Sequence, residues 1–194
     1  REITMKKIKD KLITIYPQLI FLIVTFCIFM PSSLFLGNID QFAVGFAALI
    51  PLLMAASLIT AAVVILIGLI VPKKICNIYA AVIFGGALAA YVQGNFLNPD
   101  FGVLNGRQIQ WSQFKVNGII STVVWIVLIV VPPVIVCFKK DIMTNIIKWG
   151  SLFLSSIQVV TLVVLIVSSK RSVDYSYVVT KNDEFALSSQ GNVV

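Results

Sequence analysis

Residues 45–71 read GFAALIPLLMAASLITAAVVILIGLIV, an apolar run without one charged side chain. The hydrocarbon core of a bilayer is about 30 Å thick, and a helix needs about 20 predominantly apolar residues to cross it. A surface helix of a soluble domain would carry charged residues along its outer face, and this run has none. It reads as a membrane-spanning helix, and Pro51 inside it predicts a kink or a tilt.

Working outward, four further runs meet or nearly meet the same length, at about 17–36, 76–92, 117–138 and 146–168. Pro17 fits a first-turn position, where its missing N–H costs nothing. Tyr16 and Trp149 suit the interface, where one end of the ring meets water and the rest meets lipid. The composition agrees. The 194 residues are 59% hydrophobic and only 12% charged, whereas soluble domains carry about 25% charged residues, and mean hydropathy is +0.99. The net charge of +7 does not point to nucleic acid, because Lys and Arg sit in short clusters between apolar runs. Membrane insertion leaves that pattern; a phosphate-tracking groove does not. The predicted fold is an all-α integral membrane protein: a basic head over 1–16, a five-helix bundle over 17–168 in the lipid bilayer, and a tail over 169–194.

The lysine-rich start followed by an apolar run also raises a secretory signal. A cleavable signal has a short apolar region and a small-residue site. Here the run continues to Leu36 and ends in Pro31-Ser32-Ser33-Leu34-Phe35-Leu36, so it is read as a retained first helix. Orientation follows from the basic residues. The head, the Lys73–Lys74 turn and the Lys139/Lys140/Lys148 segment hold ten Lys and Arg, and the alternate segments hold five. The richer set is expected in the cytoplasm, which places the N-terminus inside a plasma membrane and the C-terminus outside. Lys170 and Arg171, directly after the fifth run, dissent locally.

Two segments are not spans. The loop from Gln93 to Lys115 is turn-rich at Asn98-Pro99-Asp100 and Asn105-Gly106, yet carries Phe96, Phe101, Leu104, Ile109, Trp111 and Phe114. Such a loop is expected to fold back on the helix ends or rest at the interface. In the tail, Val173, Tyr175, Tyr177 and Val179 alternate with other residues in strand fashion. The closing Gly191-Asn192-Val193-Val194 looks like the opening of a further strand, so the chain is expected to continue into a soluble outer-face domain.

Within the spans, Ala81, Gly85 and Ala89 form a small-xxx-small row on the third helix, with Gly86 and Ala90 alongside. Ser57 and Ala61 repeat the spacing on the second. Such faces let another helix approach closely, and packing within the bundle is the expectation. Cys27, Cys76 and Cys137 are widely spaced. With no CxxC and no His in the chain, a zinc or redox site has little support, and they are read as packing residues. No acid or base lies deep in a span, so an ion path loses ground. Gln158 is the main strongly polar side chain deep in the fifth helix, where an interhelical hydrogen bond is expected. In the outer loop, Asn105, Arg107, Gln108, Gln110 and Trp111 are the candidate ligands for a lipid phosphate or head-group sugar, Arg107 supplying a forked donor array. Aromatic anchoring alone would equally account for Trp111. The chain contains no Ser-His-Asp set, no HExxH, no phosphate-binding glycine loop and no acidic pair in a plausible pocket, so no catalytic residue and no metal ligand is assigned.

Three features now point one way: five spans ending outside, the loop FLNPDFGVLNGRQIQW within residues 95–111, and the tail EFALSSQGNVV at 184–194. Together they resemble the membrane portion of bacterial sulfatase-like proteins of the alkaline phosphatase superfamily, a group that includes lipoteichoic acid synthases and lipid A phosphoethanolamine transferases. The resemblance implies a bundle leading to an extracytoplasmic α/β domain. The first strand of that domain opens on an Asn-Val-Val-like run and leads to a metal-binding Asp. A divalent metal and the Thr or Ser nucleophile would belong to that domain, beyond Val194. The implied function is a module that anchors an outer-face transferase or hydrolase of phosphate or sulfate esters and presents a lipid-linked envelope substrate to it. Two other classes stay open: a small transporter, channel or envelope-glycan export component, which would need a polar intramembrane path; and the membrane part of a lipid-dependent glycosyltransferase, which would need outer-loop acids beyond the isolated Asp40 and Asp100.

Overall fold

The structure, a computed structural model, describes residues 2–39, 42, 44–99 and 111–169, with side chains from Met5 onward. Loop residues 100–110 and the strand-like tail expected after 169 lie outside the described residues. The described chain is all-α, and five of its helices are long and apolar enough to cross a membrane.

Helix α1 runs through three continuous segments, Glu2–Leu22, a π-helical stretch Ile23–Phe29 and Met30–Gly37. Helix α2 is Phe46–Ile70, α3 is Lys73–Leu97, α4 is Trp111–Phe138 and α5 is Lys140–Ser168. The shortest of these have 25 residues, about 37 Å at 1.5 Å per residue, enough for a core of about 30 Å. The described residues form a multi-pass membrane bundle.

The two prolines exchange their expected roles. Pro17 was expected in a first turn, but the basic head is itself helical, and Pro17 lies inside α1, fully buried. Neighbouring helices can tolerate the backbone carbonyl that such a proline leaves open. Pro51 was expected to kink α2, yet it stands at the start of the α-helical segment Ile50–Ile70, after a 3-10 turn over Phe46–Leu49. There its missing N–H is one of the unbonded donors of the first turn. Helix α5 also begins earlier than expected, at Lys140. The segment Gln93–Leu97, read as loop, continues α3 as a π-helical turn.

Helices α1 and α3 form the centre, while α2, α4 and α5 leave most of their surface outward. One core cluster joins Phe21 of α1, Ala81, Phe84 and Ala87 of α3, Val136 of α4 and Ile147 of α5. Phe21 and Phe84 meet with ring centroids 5.9 Å apart. A second cluster joins Ile15, Val64, Cys76 and Ile83, tying α2 to α1 and α3. The Tyr79 hydroxyl adds a hydrogen bond to the Val64 carbonyl at 2.9 Å. Leu52, Leu58 and Ile70 of α2, with Val116 and Ile119 of α4, are exposed. Apolar surface on that scale suits lipid rather than water.

The small-residue row lies in the interface of α3 with α4. Ala81 and Ala89 are buried. A methyl group built on Gly85 would fall 3.0 Å from the Ile129 Cα and nearer still to the Leu128 carbonyl oxygen. Backbone thus meets backbone at Gly85, which only glycine permits. Gly86, one residue on, faces open space.

Candidate functional site

Polar side chains in the bundle gather along one seam. On α1, Gln18, Thr25 and Ser32 are buried. On α5, Ser151, Ser155 and Gln158 are buried. The Gln158 amide donates to Thr25 Oγ1 at 3.0 Å, and the Thr25 hydroxyl lies 3.2 Å from Gln158 Oε1. Ser151 and Ser155 donate to the carbonyls four residues back, Ile147 and Ser151, each at 2.7 Å. The middle of the seam is therefore closed by its own hydrogen bonds.

Ser32 differs. Its hydroxyl is buried with no hydrogen-bond partner among the described residues. A buried polar group left unpaired costs free energy, so this position is not explained by packing alone. Ser32 borders a cavity of about 480 Å³ between α1, α2 and α5. Its other walls are apolar and include Ile28, Phe46, Ile50, Met54 and Ile166. Ser57, expected in a packing row, also lines it, with its hydroxyl turned to the Leu53 carbonyl. The groove lies where α2 begins and α5 ends, the end of the bundle at which α3 ends and α4 begins.

On the other side of α1 at that end, Ser33, Asn38, Asn95 and Asn98, with Phe29, Met30 and Leu34, border a cavity of about 390 Å³. Gln93 organises the start of the loop: its amide nitrogen donates to Asn98 Oδ1 at 3.1 Å, and its oxygen accepts from the Trp125 indole at 3.2 Å. Asn105, Arg107, Gln108 and Gln110 lie outside the described residues. Trp111 opens α4 in a 3-10 turn, with its side chain mostly exposed. Composition and spacing pointed only to the loop; the groove was missed, because its walls come from three helices that are apolar in sequence.

At the opposite end the basic segments converge. Asp10, Lys11, Lys73, Lys74 and Lys140 border one cleft of about 410 Å³. Lys73 pairs with Asp10 at 2.7 Å, and Lys11 donates to the Leu69 carbonyl in the last turn of α2 at 2.8 Å, where the helix dipole favours a cation. Cys27 and Cys76 are buried free thiols, while Cys137 is exposed. Among the described residues no three His, Cys, Asp or Glu side chains come together as a metal site. Comparison with protein-family models, with curated proteins and with solved structures gives no match for this chain.

Proposed function

We propose that this chain is a plasma-membrane module that anchors an outer-face, metal-dependent transferase or hydrolase and holds a lipid-linked envelope substrate for it. The observation that carries the reading is the apolar groove at the loop end, with Ser32 at its edge. A groove of this kind between helices accepts an acyl or polyprenyl chain. A second cavity flanks the same stretch of α1; on its wall Ser33, Asn38 and Asn95 donate to the Met30, Leu34 and Tyr91 carbonyls, which leaves acceptor oxygens rather than free donors for a head group. The loop motif within 95–111 and the segment 184–194 support the sulfatase-like assignment by resemblance. Catalysis and its metal belong, in this reading, to the outer domain.

The hydrogen-bonded closure of the α1–α5 seam at Thr25 and Gln158 favours a sealed, lipid-binding bundle over an aqueous transport path. The test is lipid retention. The chain extracted from its native membrane should carry a chain-bearing lipid into detergent, and Ser57→Trp, which fills the groove, should abolish that. Val123→Trp on the exposed face of α4 should not. Lipid-free wild type, or full retention in a folded Ser57→Trp variant, would refute the proposal.

A further inference from the structure

The basic end carries a second site, independent of the loop-end groove. Four ammonium groups from three separate stretches of chain border a single cleft: Lys11 on α1, Lys73 and Lys74 at the start of α3, and Lys140 at the start of α5. One carboxylate, Asp10, shares it and is engaged by Lys73. Asp141, next to Lys140, does not line it. Among the described residues, Lys74 and Lys140 have no ion-pair partner.

Retention of positive charge on one side of a membrane requires only that lysines lie in the flanking segments. It does not require them to meet across helices around a single cleft. Here Lys11 is fixed on the Leu69 carbonyl and Lys73 on Asp10, which sets the spacing of the cluster before any ligand arrives. The cleft also adjoins a smaller cavity of about 210 Å³, reaching Gln18, Asn145 and Lys148. Thr14 and Asn77 border both, adding neutral hydrogen-bonding groups. The site stands where the charged helix ends give way to apolar spans.

We propose that this cleft binds the phosphate of an anionic phospholipid in the leaflet at the basic end, with Lys74 and Lys140 as its principal ligands. Basic pockets between membrane helices suit anionic head groups by charge and by position. The lipid would bridge the starts of α3 and α5 and so brace the end of the bundle where α1 emerges.

The test is native mass spectrometry of the full chain in detergent, titrated with phosphatidylglycerol or phosphatidylcholine of the same acyl chains. Phosphatidylglycerol should bind in preference. Lys74→Gln with Lys140→Gln should weaken it about 30-fold, from a factor of about five per lysine, and the same two positions as Arg should restore it. Lys9→Gln with Lys139→Gln removes equal charge from exposed positions outside the cleft and should weaken binding far less. Asp10→Asn leaves every lysine in place and should tighten binding, which keeps the test decisive if the double Gln variant fails to fold. Equal losses from the two lysine pairs would mean diffuse attraction and overturn the site. So would no preference for the anionic lipid, unaltered binding in Asp10→Asn, or displacement of the lipid by millimolar inorganic phosphate, which would make it a free-anion site.

Discussion

Gln158 of α5 and Thr25 of α1 grip each other in the buried middle of the bundle, the amide nitrogen 3.0 Å and the amide oxygen 3.2 Å from the same hydroxyl. Thr25 stands in the π-helical stretch Ile23–Phe29, where the Met30 N–H reaches back to the Thr25 carbonyl. Interhelical hydrogen bonds in membranes average about 0.6 kcal/mol and reach about 1.7. A double-mutant cycle of Gln158→Leu and Thr25→Val, read by unfolding in detergent, should give a coupling of about 1 kcal/mol. Strictly additive losses would mean that the two side chains do not depend on each other.

Gly85 and Gly86 make a matched pair for the α3–α4 contact. Gly85→Ala forces a methyl group against the Leu128–Ile129 backbone, and overpacking of this kind costs about 1–3 kcal/mol. Gly86→Ala enters open space and should be neutral or gain up to about 1 kcal/mol from helix propensity. Thermal unfolding of the two variants in one detergent checks this. Equal melting temperatures would place α4 further from α3 than the structure has it.

The convergence of Lys11, Lys73, Lys74 and Lys140 on one cleft puts the N-terminal head and two connecting segments at the same end of the bundle. The positive-inside rule predicts that this end faces the cytoplasm. Reporter fusions after Lys74 and Lys140 should read cytoplasmic, and a fusion after Gly106 should read external. A cytoplasmic signal after Gly106 would reverse the proposed orientation.

How far the sequence discloses this bundle depends on the range of the interaction. Length and hydropathy are local, so the five runs could be read directly, and Cys76–Val92 of α3 matches its expected bounds. Helix ends are less local. Pro17 was read as a boundary because a proline usually opens a helix, yet the lysine-rich head has good helix formers and a tertiary role. Its Lys11 reaches the Leu69 carbonyl, and its Asp10 reaches Lys73, so the helix extends through the proline. Gln158 stood out as a lone amide among apolar residues, but its partner Thr25 lies 133 positions away and no periodicity links them. The basic cleft and the apolar groove were invisible for the same reason. Each is assembled from α1 and two or more other helices, and lysines between spans carry a topological signal that masks any binding role.

The most direct test of the proposed lipid-holding module uses a phospholipid with a photoreactive group near the end of its acyl chain, crosslinked to the full chain in vesicles and mapped by mass spectrometry. Crosslinks should concentrate on the half-buried groove walls, at Ile23 and Ile28 of α1, Leu53 of α2 and Leu162 of α5, and Ser57→Trp should remove them. Crosslinks spread evenly over exposed positions such as Leu52 of α2 and Ile119 of α4, unchanged by Ser57→Trp, would contradict the groove as a lipid site.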